Sequence, residues 1–154
     1  IKNNEPYLIE YNIRMGDPEC QVILPRLKTD LVKIIINSVD NKLKKTKIEW
    51  KKDKSMTVVL CSKGYPGNYK KNKIIRNMNK LKLLKSEFIY HAGTKLKNGK
   101  LFSNGGRVLN IAATGKSFLK IRNKIIKLIK KLNWKAGFYR KDIGWKIINK
   151  YANN

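Results

Sequence analysis

Apolar and polar side chains alternate between residues 8 and 14, and this period of two predicts a short β-strand. The polar positions are Glu10, Asn12 and Arg14, which would share one face of that strand. An edge strand with a solvated face has the same alternation, so the pattern alone leaves a structural and a functional interpretation open. The following Asp17-Pro18-Glu19 has the form of a helix start, with its aspartate as the N-cap.

Two longer stretches have apolar residues at the spacing of amphipathic helices. The first follows Thr29-Asp30, and its apolar positions are Leu31, Val32, Ile35, Ile36, Val39 and Leu43. The second follows Ser117, and its apolar positions are Phe118, Ile121, Ile125, Leu128, Ile129 and Leu132. We expect the first helix to pack on the strand before it and the second to pack on a sheet, with its lysines in solvent.

Runs of β-branched and aromatic residues between turn signals predict the remaining strands. The expected strands are 55–61, 87–92, 100–103, 107–113 and one around 137–140. The order of elements predicts an α+β fold, in which a strand and a helix precede a small, mostly antiparallel β domain with one packed helix. We place a domain boundary near residue 50, which divides the chain into residues 1–50 and 51–154.

The formal charge of +26 would by itself predict a nucleic-acid-binding protein. However, 30 of the 36 basic residues are lysines spread along nearly the whole chain, which is typical of a general compositional bias. No recognition-helix signature appears, so we expect no nucleic-acid partner and keep a basic binding module as the alternative from another class. No apolar run approaches the ~18 residues of a membrane span, and two cysteines without metal spacing suit a reduced, cytoplasmic protein.

The candidate chemistry lies mainly in the opening stretch. A carboxylate beside an amide oxygen, as in Glu10 and Asn12, suits a hard cation such as Mg²⁺, which often shares its ligands with phosphate. Arg14 could then bind a phosphate in a bidentate way. Farther along, Gly105-Gly106 ahead of Arg107 would let a backbone and a guanidinium hold an anion, although a bulge is the structural alternative. His91 is the only histidine, and we expect it to be a hydrogen-bonded residue rather than a catalyst.

Six motifs resemble, in order, those of the phosphoribosylamine-glycine ligase family of ATP-grasp enzymes. They are residues 10–14 (EYNIR), 16–19 (GDPE), 64–67 (GYPG), 91–94 (HAGT), 104–109 (NGGRVL) and 138–144 (FYRKDIG). The first motif is common to many ATP-grasp enzymes and therefore indicates only the superfamily. The resemblance covers essentially the whole chain but only the carboxy-terminal part of the enzyme. It implies that residues 1–50 are the end of an ATP-grasp domain.

The resemblance implies ATP-dependent joining of glycine to 5-phosphoribosylamine through a glycyl phosphate, in purine biosynthesis. It further implies that Glu10 and Asn12 hold Mg²⁺ or Mn²⁺, and that Arg14 steadies the transferred phosphate or the acyl phosphate. The substrate-binding residues that it implies are Asp17 and Glu19 for the amine or ribose groups and Arg107 for the ribose 5-phosphate.

The chain departs from the family pattern in one apolar position, Met15, where the family usually has phenylalanine. The glycine-rich loop, the adenine pocket and a further metal ligand would lie before Ile1. We therefore expect this chain to be inactive alone and to need the amino-terminal part of the same polypeptide. The alternative within enzymes is another ATP-grasp carboxylase or amide ligase, which has no reason to carry the later motifs.

Overall fold

The computed structural model describes residues 1–152, with side chains up to residue 150. The helices are α1 (Cys20–Ile23), α2 (Leu31–Val39), α3 (Phe118–Leu132) and α4 (Trp145–Ala152). The strands are β1 (Lys54–Ser62), β2 (Glu87–His91), β3 (Thr94–Lys97), β4 (Lys100–Ser103), β5 (Arg107–Gly115) and β6 (Gly137–Phe138). Single 3₁₀ turns occupy Leu24–Arg26, Leu43–Lys45 and Met78–Lys80. None of the helices in the described part is long and apolar enough to span a bilayer.

Four strands form an antiparallel sheet in the order β2-β5-β1-β6, and β3 and β4 form a separate hairpin. The two central strands pair along most of their length, with Val58 opposite Ile111 and Leu60 opposite Leu109. The register then shifts, so that Cys61 lies opposite Arg107. This irregularity lies at the end of the sheet that carries the candidate arginine.

Helix α3 covers one face of this sheet and forms the core with it. Its buried side chains are Ile121, Ile125, Leu128, Ile129 and Leu132. Ser117 begins the helix by accepting a hydrogen bond from the backbone N–H of Lys120 at 3.5 Å. Full burial of an Ile or Leu side chain contributes about 1.5–3 kcal/mol to stability. The five buried side chains are therefore the main way in which α3 stabilises the fold.

The opposite face of the sheet lies against α1 and the 3₁₀ turn that follows it. This face carries Asn110 and Ala112 of β5, which are both buried. After the turn, the chain pairs with residues 49–51, because Lys28 N–H donates to Glu49 O at 3.0 Å and Lys51 N–H donates to Arg26 O at 2.7 Å. Residues 16–51 therefore form a loop that returns to the start of β1.

Two expectations for the opening segment are wrong. Residues 8–14 form no strand, because no other segment of the described chain offers them a hydrogen-bonding edge. The helix start also differs, since α1 begins at Cys20 with Glu19 at the N-cap position and no side-chain cap. Asp17 does not cap the helix. Its carboxylate instead contacts Gln21 of α1 and Asn110 of β5.

Helix α2 forms as expected, and Asp30 caps it by accepting from the N–H of Lys33 at 3.1 Å. It does not pack on residues 8–14, where a strand was expected, because these residues form no strand and their isoleucines, Ile9 and Ile13, are almost fully exposed. As a result, the apolar side chains of α2 remain largely in solvent, as Ile35 at 53% exposure illustrates.

The α+β class is confirmed, with a small antiparallel sheet and one packed helix. The strands expected at 55–61, 87–92, 100–103 and 107–113 are present with small changes in their bounds. Strand β3 and helix α4 were not predicted. The division near residue 50 stays a prediction.

Candidate functional site

The opening triad of Glu10, Asn12 and Arg14 lies on the surface. Asn12 Nδ2 donates to Glu10 Oε1 at 3.3 Å, so these two side chains lie on the same side of the chain. Arg14 Nη1 donates to the carbonyl oxygen of Met15 at 3.1 Å. In the described part of the chain, the triad makes no hydrogen bond or ion pair with the sheet, and all three residues are exposed.

Glu10 and Asn12 offer two neighbouring oxygen donors, which fits a hard cation. Protein sites for Mg²⁺ often supply only one or two carboxylates and leave the other positions to water and phosphate oxygens. Across the described residues, no three His, Cys, Asp or Glu side chains come together as a complete metal site. The pair therefore fits a cation that is also held by phosphates or by another part of a protein.

A second group of candidate residues meets at the start of β5. Arg107 Nη2 lies 3.4 Å from Asp17 Oδ2, and its Nη1 donates to the main-chain oxygen of Asp17. Both side chains are 42% exposed, so the pair is screened by water and contributes little to stability by itself. The contact nevertheless joins the opening segment to the sheet.

The structure adds two residues to this group that the sequence analysis missed. Gln21 Nε2 donates to Asp17 Oδ1 at 2.8 Å, and Asn110 Nδ2 lies 3.5 Å from the same oxygen. Asn110 could have been noticed as the one amide within the otherwise apolar run 108–113. Gln21 gives no such signal, because its role depends on a contact formed only by the fold.

Glu19 lies in the same corner but already has a local partner. Its Oε2 accepts a hydrogen bond from the backbone N–H of Gly16 at 2.7 Å and so closes the turn ahead of α1. This turn fixes where the chain presents Asp17 to β5. The substrate-binding role of Glu19 stays a prediction.

The glycines before Arg107 allow a close approach of three loops. A Cβ on Gly106 would lie 2.1 Å from the ring of Tyr65, and a Cβ on Gly93 would lie 2.7 Å from the Cα of Gly105. Ser62 Oγ also donates to the carbonyl oxygen of Gly105 at 2.9 Å. Glycine is therefore required here by packing, and this packing fixes the position from which Arg107 extends.

Two reactive side chains near the site have ordinary structural surroundings. Burial raises the pKa of the Cys61 thiol, and the positive charge of Arg107 lowers it to a smaller extent. The single histidine, His91, has its Nδ1 3.0 Å from Thr94 Oγ1 and is exposed. Within the described residues its side-chain partner is Thr94 and not one of the candidate site residues, which agrees with the expectation of a hydrogen-bonded histidine.

Comparison with known proteins identifies the class as ligases. The phosphoribosylamine–glycine ligase of Brucella melitensis is 42% identical to this chain. The match covers 100% of this chain and 36% of the length of that enzyme. The Agrobacterium fabrum enzyme of the same name is 47% identical over 93% of this chain and 33% of its own length. A crystal structure of phosphoribosylamine–glycine ligase from Thermotoga maritima matches 91% of this chain and 34% of that one, with 34% identity and a TM-score of 0.68.

The family description "Phosphoribosylglycinamide synthetase, C domain" matches residues 55–146. The chain belongs to this family, and the resemblance inferred from the six motifs is confirmed. It spans about a third of the length of the curated relatives that it matches.

Proposed function

We propose that this chain takes part in the ATP-dependent joining of glycine to 5-phosphoribosylamine, which yields glycinamide ribonucleotide, ADP and phosphate. The observation that carries the proposal is the 42% identity to a phosphoribosylamine–glycine ligase over the whole of this chain. The proposal is also supported by two features that suit the binding of phosphates. These are the exposed Glu10–Asn12 pair and the contact between Arg107 and Asp17.

In this proposal Glu10 and Asn12 hold Mg²⁺ or Mn²⁺, and the cation when bound neutralises charge on the ATP phosphates. Arg14 faces solvent with most of its guanidinium donors unused, so it can bind the γ-phosphoryl group during transfer. The glycine carboxylate takes that group and releases ADP. The amine of phosphoribosylamine then attacks the acyl carbon, and phosphate leaves.

The corner of Asp17 and Arg107 is the proposed site for phosphoribosylamine. Arg107 keeps donors that Asp17 does not use, and these suit the bidentate binding of a ribose phosphate. Asp17 and Glu19 offer carboxylate oxygens to the amine or the ribose hydroxyls. Arg107 lies on the rigid central strand β5, which favours precise placement of the substrate phosphate.

The exposed apolar side chains of residues 1–50 indicate a docking surface for another protein segment. We propose that it docks a segment equivalent to the part of the relatives that this chain does not match, about two thirds of their length. Its exposed side chains include Ile9, Ile13, Val32, Ile36 and Trp50. The site would be completed by that segment, in the cytoplasm, where the two cysteines remain as thiols.

The test is a chimaera in which the full chain replaces the matching third of the Brucella melitensis relative. We expect it to release ADP only when glycine and phosphoribosylamine are both present. Bicarbonate and other carboxylic acids in place of glycine are the matched substrate controls, since another ATP-grasp ligase would use one of them.

A folded chimaera that consumes ATP with bicarbonate and ignores glycine would overturn the proposal. A folded chimaera that releases no ADP, beside an active parent enzyme, would also count against it. The isolated chain, assayed in parallel, is expected to release none.

A further inference from the structure

Two amide side chains hold the Asp17 carboxylate at the junction between the opening segment and β5. Gln21 Nε2 donates to Asp17 Oδ1 over 2.8 Å, and Asn110 Nδ2 approaches the same oxygen to 3.5 Å. Asn110 lies on one of the two inner strands of the sheet and is only 1% exposed. Its amide is therefore held in place by packing on all sides.

This arrangement leaves two buried acceptors without donors. Neither Asn110 Oδ1 nor Gln21 Oε1 receives a hydrogen bond from the described part of the protein. A buried acceptor without a donor destabilises the folded state, and an apolar residue of similar size at position 110 would avoid this cost. In the described part of the protein, the hydrogen-bonding partner that the two amides share is the Asp17 carboxylate, which points to control of that side chain as their role.

Asp17 in turn fixes the orientation of Arg107. Its carboxylate lies 3.4 Å from Nη2, and its main-chain oxygen accepts from Nη1. A guanidinium has five N–H donors in one plane, so fixing one edge fixes the direction of the others. Because Arg107 remains 42% exposed, its remaining donors are open to an anion.

We infer that Asn110 and Gln21 are positioning residues that hold Asp17 and, through it, orient the guanidinium of Arg107 for a substrate phosphate. The part about the phosphate rests on the function proposed above. The part about orientation does not depend on it. The amides are expected to act on Arg107 from two sides, one from the sheet and one from α1.

The test compares Asn110→Leu and Gln21→Leu in the full chain with Thr114→Val. Thr114 is also buried and lies on the same face of β5, but in the described structure it is not among the hydrogen-bonding or ion-pair partners of Asp17. Hydrogen exchange of the Arg107 Nε–H, followed by ¹⁵N NMR, measures how firmly the guanidinium is held. We expect about tenfold faster exchange in both amide variants and no change in Thr114→Val.

Unchanged exchange in both amide variants would overturn the inference. So would an equal change in Thr114→Val, because the effect would then reflect general loss of packing. Should Asn110→Leu fail to fold, Gln21→Leu decides, since Gln21 is only partly buried on α1.

The second measurement is a titration with ribose 5-phosphate of the same variants placed in the Brucella melitensis chimaera, because the site is proposed to be complete only there. We expect the dissociation constant to rise about tenfold in each amide variant while Thr114→Val binds like the unaltered chimaera. If the unaltered, folded chimaera does not bind ribose 5-phosphate, the proposed phosphate role of Arg107 fails, and the exchange rates still decide the orientation. Binding that is equally strong in all variants, with Arg107 loosened, would contradict the link between orientation and phosphate.

Discussion

Helices α2 and α3 have similar apolar stripes but opposite surroundings. The stripe of α3 is buried against β1 and β5, and Ile125 there is fully buried. The stripe of α2 remains in solvent, and Ile35 is 53% exposed. In the described structure, every buried residue belongs to the part after residue 53, and none belongs to the part before it.

The difference teaches that periodicity specifies a helix but not its burial. Both helices begin with a side-chain cap, from Asp30 and Ser117, so their local signals are equally strong. Only α3 has a sheet beside it, and an apolar stripe contributes to stability only where another surface removes it from water. Residues 1–50 therefore expose apolar side chains that no other described part of the chain covers.

The largest expected effect comes from matched isoleucine truncations on the two helices. We expect Ile125→Ala to lower the free energy of unfolding by about 2–5 kcal/mol, because it removes core packing and leaves a cavity. Ile35→Ala should change it by less than about 0.5 kcal/mol, since a side chain that is 53% exposed loses little packing. Urea denaturation of both variants, followed by circular dichroism, measures the two losses.

Equal losses of unfolding free energy for the two truncations would contradict the proposed difference in burial between α2 and α3. That result would mean that the stripe of α2 is covered in the isolated chain, for example by a second copy. Sedimentation at several concentrations would then reveal the association.

The next effect concerns the two caps. Ser117→Ala should lower the free energy of unfolding by about 1 kcal/mol, because α3 belongs to the core and loses a partner for its first turn. Asp30→Ala should instead reduce helical content with little change in the urea midpoint, since α2 can fray without opening the core. A cooperative loss of stability in Asp30→Ala would show that α2 unfolds together with the sheet.

The smallest expected effect is a pH dependence of stability that arises from Cys61, which lies in the part of the chain after residue 53. Burial raises the pKa of this thiol above its ordinary value, so the unfolded chain ionises first as the pH rises. The stability that the neutral thiol contributes is therefore complete below the ordinary pKa and is lost as the pH rises through the folded value.

The rate of Cys61 alkylation against pH, followed by mass spectrometry, measures this shift. We expect its midpoint to lie above that of a free thiol and to move higher in Arg107→Gln, because the arginine now lowers the pKa. An unchanged midpoint in Arg107→Gln would show that the guanidinium does not act on the thiol.

The sequence predicted the elements that depend on local signals. The β-branched run 55–61 is the middle of β1, and the stripe after Ser117 is α3. The opening strand was wrong because alternation describes a strand only when a neighbouring strand accepts its hydrogen bonds. Strand β3 was missed because its exposed Thr-Lys-Leu-Lys has little β-branched content.

The candidate site could be predicted only in part. Glu10, Asn12 and Arg14 are recognisable from their spacing, and Arg107 from the glycines before it. The grouping of Asp17 with Arg107 and Asn110 could not be foreseen, because it joins residues about 90 positions apart. Their roles in binding stay predictions.

We propose above that the exposed opening segment holds the catalytic cation only when it is part of a complete ligase. It is tested most directly by Glu10→Gln in the Brucella melitensis chimaera, with Glu5→Gln as the matched control for another exposed acid of the same segment. We predict that Glu10→Gln abolishes Mg²⁺-dependent ADP formation with glycine and phosphoribosylamine, while Glu5→Gln retains it. Full activity of the folded Glu10→Gln chimaera would contradict the account, because the cation would then be held without this carboxylate.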